Sequence, residues 1–344
     1  MTANTTLSDA APDGGPLLVS MIIPARHWDH RLVETLDSID RQRLQVGVSV
    51  EVVVALAEGS ARPHPLEPRV VANATGTIPA GLNAAIAASR GQIIARVDAR
   101  SHLPPNYVAT VIDTLADASV GCVGGAALVL DRGLFGSTYA IAFNSVLLGP
   151  TVYRYRRTSG PVDTAYLGSW RRRDLELLGG FDTELHRNQD NELADRVRTA
   201  GQTVWYDARL VVGYYNDRDL RGALHHHHEF GLWRMIQRGR GQRSLTRRHR
   251  ASLAALAAAT VIGAGTLAAP RTRSLVARAA IVGYLSAGVV AWRSASNLRA
   301  ARPDLITEPF HPLAPLLAPG LAAALDASWI AGILRGALRS QRGS

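Results

Sequence analysis

The sequence predicts an α/β domain, a mixed and mainly parallel sheet between helices, followed by an apolar helical segment. Leu17–Pro24 (LLVSMIIP) and Val48–Leu56 (VSVEVVVAL) are continuous apolar runs of strand length, as expected of strands buried on both faces. Between them, Leu32, Leu36 and Ile39 fall at helical spacing, and alternation of strand with helix builds parallel sheets. Beyond Arg250 the composition changes to Ala/Leu-rich stretches flanked by arginine.

Taken in order, Leu17–Pro24 is the first strand and Arg31–Arg43 the first helix, and Val48–Leu56 is the second strand. Ile78–Ser89 is a small-residue helix carrying Leu82, Ala85 and Ile86, and Gln92–Val97 is a strand that ends on Asp98. A helix over Asn106–Ala116 follows the Pro104-Pro105 turn. Val120–Leu130 is a further strand in which Gly124-Gly125 permits close backbone approach. Residues 131–163, rich in Gly, Tyr and Arg, read as a mobile loop across a cleft. Val162–Trp170 is a strand, Arg173–Leu178 a helix, and Thr203–Tyr206 and Leu210–Tyr214 are two late strands. Ala251–Ala269, Leu275–Trp292 and Leu313–Leu334 have roughly membrane-spanning length but are mildly hydrophobic, so spanning, interfacial and soluble-bundle helices all fit.

These elements divide the 344 residues into a leader over 1–16, a catalytic domain over 17–245 and an apolar, membrane-associated segment over 246–344. The formal charge of +10 comes from arginine, which suits bidentate contact with phosphate. Nucleotide diphosphates and anionic lipid headgroups are therefore the expected partners, and with no nucleic-acid-binding motif in the chain, nucleic acid is not. Cys122 is the one cysteine, which rules out an intrachain disulfide and a thiolate metal cluster. The leader lacks a basic-then-apolar signal pattern, so the catalytic part is expected at the cytoplasmic face of the cell membrane.

Two carboxylates stand where chemistry is expected. Asp98 lies beyond the carboxyl end of a buried strand, where open sheets bind ligands, and could hold a divalent ion against a diphosphate. Asp190, in Asn188-Gln189-Asp190-Asn191-Glu192-Leu193, opens a helix directly after a loop and could act as general base. An ordinary helix or turn cap is the alternative for Asp98, and N-terminal helix charge meeting the macrodipole is the alternative for Asp190 and for Glu192, which is expected to point away. His225–His228 cannot all aim at one ion from a helix, and His228 is the candidate to contact a metal or phosphate. Trp233-Arg234 could stack on a ring and grip phosphate, whereas Arg238, Arg240 and Arg243 serve equally well as a membrane-surface anchor.

Ile22-Ile23-Pro24-Ala25-Arg26, Gly81-Leu82-Asn83, Arg96-Val97-Asp98-Ala99-Arg100, Tyr166-Leu167-Gly168, Gly179-Gly180-Phe181-Asp182 and Asn188–Leu193 occur in that order. Over Val19–Gly241 this order resembles the inverting family-2 glycosyltransferases of GT-A fold, especially the succinoglycan-type glucosyltransferases. The resemblance implies transfer of a hexose from a nucleotide-diphosphate sugar, UDP-sugars first, to a polyprenyl-linked or glycan acceptor, with Mg2+ or Mn2+. It implies Pro24, Ala25 and Arg26 at the nucleotide, Asp98 and Arg100 at the diphosphate and metal, and Gly168 at the sugar. Asn83, Arg96 and Gln189 join the substrate site, Asp190 meets the acceptor, and Trp233 and Arg234 lie over the diphosphate. The chain departs from the family pattern at Ala25–Asp29, where an Asn-Glu pair is usual, and at the end of the second strand. There Glu58 stands near the position of a base-reading aspartate. Those departures define the alternative of a catalytically silent GT-A-like scaffold that binds a nucleotide or a partner. A basic protein that binds membrane surfaces through its arginines alone is the third reading.

Overall fold

β1 (Leu17–Ala25) and β2 (Val48–Leu56) pair in parallel from Leu17↔Val48 to Ala25↔Leu56. β4 (Ile93–Arg96) flanks β1 on its other side, also parallel, and β3 (Arg69–Ala72) closes that edge against β2. In the computed structural model of the chain, residues 16–145, 156–216, 218–239, 273–301, 303, 305 and 309–340 are described. Within them the chain divides into two compact units, 16–128 with 156–215, and 129–145 with the residues from 216 onward. The expected leader, the stretch Ala251–Ala269 and the expected boundary at residue 245 lie outside the described residues.

The first unit holds the sheet. Alternate side chains of β1 enter two different cores, as a strand covered on both faces requires. Val19, Met21 and Ile23 pack with Leu32, Leu36 and Ile39 of α1 (His30–Asp40) and with Tyr107, Val108 and Val111 of α3 (Tyr107–Leu115). Ile22 packs on the opposite face with Leu82 and Ala85 of α2 (Ile78–Ala88), and with Leu193 and Val197 of α6 (Gln189–Thr199). Asp29 opens α1, its Oδ1 accepting from the Leu32 N–H at 3.0 Å, and Pro79 occupies the first turn of α2.

The sheet is parallel only in part. β8 (Tyr166–Arg171) inserts antiparallel beside β4, and β6 (Val120–Val129) pairs antiparallel with β8. β9 (Thr203–Tyr214) follows β6, and the two-residue strands β5 (Ser101–His102) and β7 (Gly160–Pro161) pair antiparallel with it. The strand order β3-β2-β1-β4-β8-β6-β9-β5 thus places the parallel half at one edge. Gly124 and Gly125 do permit close approach, since a Cβ on either would collide with the carbonyl oxygen of Tyr166 or Leu210.

Three expectations are corrected. Residues 131–163 are not one loop, because α4 (Gly133–Asn144) runs through them with Phe135, Tyr139 and Phe143 in succession on one face, ring centroids 6.2 and 5.9 Å apart. The two late strands are one continuous β9. The polar Asp207-Ala208-Arg209 that reads as a break sits within it, with Asp207 buried against Arg209 and Thr114. The strand expected over Val162–Trp170 begins only at Tyr166, as β8; the two-residue β7 precedes the expected start, and α5 (Arg172–Leu177) follows β8 at once.

In the second unit, α4 is joined by α7 (Leu220–Gly239), α8 (Arg273–Ala301) and α9 (Ala314–Ser340). α7 and α9 run parallel at close range. A Cβ on Gly332 would clash with the His228 carbonyl and one on Gly231 with that of Trp329, while the Ser328 hydroxyl donates to the Leu224 carbonyl at 2.7 Å. Ser274–Asn297 and Ala314–Leu338 are long and apolar enough to cross a membrane, with mean hydropathies of 1.6 and 1.5.

Candidate active site

Asp98 stands two residues beyond the Arg96 pairing with Ile22, just past the carboxyl end of β4. The Val97 N–H continues the sheet to the Ile22 carbonyl at 3.0 Å, and a turn closed by Ser101 N–H to the Asp98 carbonyl, also 3.0 Å, then reverses the chain. Arg96 and Asp98 point to the same side of the strand, and Arg96 Nε and Nη2 donate to Asp98 Oδ1 at 3.0 and 2.8 Å. Arg96 Nη1 lies 4.0 Å from Asp190 Oδ2. One guanidinium, its side chain 9 % exposed, thus meets both carboxylates that the sequence singles out, and these are 26 % and 24 % exposed.

Asp190 owes its place to the turn before α6. Gly179 and Gly180 have φ of +81° and +70°, conformations that favour glycine, and Asn188 enters the helix at φ +62°. Asn83 holds this turn from α2, its Nδ2 donating to the Phe181 carbonyl at 2.8 Å and its Oδ1 accepting from the Phe181 N–H at 2.9 Å. Both ends of the Asn83 amide are therefore committed to backbone. Glu192 turns inward rather than away: its carboxylate takes Arg196 Nε and Nη2 at 2.7 and 2.6 Å, and Arg196 also donates to the Gly180 and Leu178 carbonyls. Gln189 is buried at the first position of α6, beside Asp190.

At the ends of β1 and β2, Ala57 N–H reaches the Ala25 carbonyl at 3.0 Å and Glu58 N–H the Arg26 carbonyl at 2.8 Å, following directly on the Ala25↔Leu56 pairing. Glu58 consequently sits beside Arg26, with Nε to Oε1 at 3.0 Å, and His27 lies 3.7 Å from its other oxygen. This cluster is open to solvent. Arg100, half-buried, accepts the Tyr215 N–H on its carbonyl at 3.1 Å.

Gly168 is buried in β8, where a Cβ would meet the Trp170 ring at 2.6 Å and Cys122 Sγ at 3.0 Å. Burial pushes the Cys122 thiol up to about 12, and the nearby Asp190 charge acts in the same direction. Sequence reasoning assigned no role to two tyrosines here. Tyr107 is buried with its hydroxyl donating to the Leu167 carbonyl at 3.1 Å, and Tyr166 shares a 3.4 Å hydrogen bond with Ser101. Burial, and then the Asp98 charge, holds the Tyr166 phenol well above its usual range, so it stays neutral. Leu167 between these groups has φ +50°, a strained value for a leucine. No sequence signal marks that strain, because it arises where the β6–β8 register shifts.

His228, Trp233 and Arg234 belong to α7 of the second unit. His228 Nδ1 lies 3.6 Å from Glu229 Oε1, and His226 stacks edge-on against Phe230, so the four histidines fan around the helix. Burial, with Arg218 nearby, lowers His227 to about 4 and keeps it neutral. No group of three or more His, Cys, Asp or Glu suited to a metal ion stands among the described residues.

The sequence model of glycosyl transferase family 21 matches residues 78–308, well over half of the chain and spanning both Asp98 and Asp190. The chain belongs to glycosyl transferase family 21. Among solved structures this transferase is similar to the mannosyltransferase PcManGT from Pyrobaculum calidifontis, determined with GDP-Man and Mn2+. Identity is 18 %, the match covers 94 % of this chain and 88 % of that one, and the TM-score is 0.52. It is also similar to GalNAc-T7, determined with UDP, GalNAc and Mn2+, at 15 % identity and a TM-score of 0.45; the match covers 59 % of the transferase and 44 % of the GalNAc-T7 chain. No curated protein matches it. The mixed sheet and its likeness to PcManGT establish a GT-A fold, and the family establishes a glycosyltransferase. The family matched is numbered 21, where the sequence motifs resembled family 2.

Proposed function

We propose that this transferase moves a hexose from a nucleotide-diphosphate sugar to an acceptor hydroxyl with inversion, in the manner of the succinoglycan-type enzymes. The observation that carries the reading is the convergence of Asp98 and Asp190, distant in sequence, on Arg96. Asp190 takes the proton of the acceptor hydroxyl as its oxygen attacks the anomeric carbon. The bond to the diphosphate breaks on the opposite face, its electron pair leaves with the diphosphate oxygen, and the anomeric centre inverts. Asn83 and the Glu192–Arg196 pair act at one remove, holding the turn from which Asp190 projects.

Asp98 suits a hard divalent cation, Mg2+ or Mn2+. The Arg96 contacts fall on Oδ1 and leave Oδ2 as an oxygen donor, and a carboxylate completed by substrate phosphates is the usual way such ions are held. Mn2+ in the PcManGT complex supports the assignment. When bound, the ion supplies charge neutralisation at the leaving diphosphate. Arg26 and Glu58, open beside each other where β1 and β2 end, are the groups for the nucleotide, UDP being the first donor to test. The exposed apolar face of α8 (Ile281, Val282, Leu285, Val289) and the flanking arginines support attachment to an anionic membrane surface at the cytoplasmic face. A polyprenyl-linked or glycan acceptor would be met there.

The test is nucleoside diphosphate release from UDP-, GDP- and dTDP-sugars with Mn2+ or Mg2+, comparing the intact chain with Asp190→Asn. Release should fall at least about a hundredfold in the variant while donor binding persists. Turnover that survives the substitution overturns Asp190 as the base. Silence with every donor, even with polyprenyl-linked acceptors added, favours the binding scaffold.

A further inference from the structure

The geometry points to Arg96 as a positioning residue that couples the cation-holding carboxylate to the base, an inference that rests on the roles of Asp98 and Asp190 proposed above. Arg96 is the last residue of β4 and its backbone is fixed by the Ile22 pairing, so the guanidinium starts from a rigid point in the sheet. Its planar fork presents Nε and Nη2 to Asp98 Oδ1 at 3.0 and 2.8 Å and Nη1 toward Asp190 Oδ2 at 4.0 Å. A guanidinium can serve two acids at once because its donors diverge in one plane; an ammonium is a point charge. With its side chain only 9 % exposed, Arg96 acts through a medium that screens charge poorly.

Two consequences follow for the site. Arg96 occupies Oδ1 of Asp98 and leaves Oδ2 as the oxygen for a cation, so the carboxylate is held in one orientation by the guanidinium. Its positive charge also offsets one of the two carboxylates, which keeps the pair close together without strong mutual repulsion. Arg96 therefore holds the base at a set distance from the diphosphate while weakening cation binding at Asp98. Removing it should move these two properties in opposite directions.

The experiment compares the full chain with Arg96→Gln and Arg96→Lys. Mn2+ binding is read by electron paramagnetic resonance in the presence of UDP, and in parallel GDP, and kcat and KM are read with the donor that the wild type turns over. Thermal melting reports folding. Arg96→Gln is expected to bind Mn2+ severalfold more tightly while kcat falls about a hundredfold and donor KM stays within about threefold. Arg96→Lys, able to serve one carboxylate at a time, is expected to recover part of kcat and to remain folded. Unchanged kcat in both variants, or Mn2+ binding and kcat falling together with the melting temperature, overturns the inference by reducing Arg96 to a structural ion pair. A wild type that turns over no donor counts against glycosyl transfer itself and takes the inference with it, whereas an active wild type with unaffected variants overturns the inference alone.

Discussion

Asn83 illustrates how one side chain can hold a turn from another helix. Its amide exchanges two hydrogen bonds with the Phe181 backbone, and Gly180 leaves just enough room, since a Cβ there would come within 2.9 Å of Asn83 Oδ1. Asn83→Ala strands a donor and an acceptor of the turn and is expected to cost about 2 kcal/mol in denaturant unfolding, with kcat falling more than donor KM rises. Cys122 shows the converse, a reactive group type kept inert. As the sole cysteine, its thiol held up to about 12 by burial, it should resist alkylation in the native protein at pH 8 and react fully in denaturant. Labelling of the native chain at the rate of a free thiol would show that the β6–β8 region opens. At this scale the sequence marked the acids but not their environment: Asp98 and Asp190 are legible from their motifs, whereas the duties of Asn83, Tyr107 and Glu192 depend on partners far along the chain.

The elements were legible where one periodicity ruled a whole segment. β1 and β2 are uninterrupted apolar runs, and α1 carries Leu32, Leu36 and Ile39 behind an Asp29 cap, so each was placed to within a few residues. α4 was missed because glycine, serine and threonine dilute its aromatic stripe, and β9 was split because buried Asp207 reads as a surface residue until Arg209 and Thr114 are seen to satisfy it. Helix pairing gives the prediction that belongs here. Gly332 and Gly336 of α9 face the His228 and Leu232 carbonyls of α7 without space for a Cβ. Gly332→Leu must push the helices apart and is expected to destabilise the second unit by about 1–3 kcal/mol, read as earlier loss of helical circular dichroism on heating. An unchanged melting curve would mean that the two helices are not held at this distance.

For the whole molecule, the two candidate spans differ in their surroundings. Only 11 % of the apolar window of α8 is buried, against 33 % for α9, whose second half is engaged by α7 with its histidines, Glu229 and Arg234. A helix held against so polar a neighbour is a poorer occupant of a bilayer than one whose apolar side chains are free. The full chain is accordingly expected in the membrane fraction, resistant to high salt and released by detergent. Release by salt alone would mean attachment through the arginines and not through apolar helices.

The sequence by itself determined the α/β class and most strands and helices of the first unit, and it singled out Asp98 and Asp190 as candidate acids. These follow from local periodicity and from short motifs, which neighbouring residues fully encode. Only the tertiary structure decided that β8 enters antiparallel between β4 and β6, and that Glu58 meets Arg26. It also decided that Arg96 stands between Asp98 and Asp190. Strand order and ion-pair partners are set by packing between segments remote in the chain, and a register or a hydrogen bond of that kind leaves no period in the sequence.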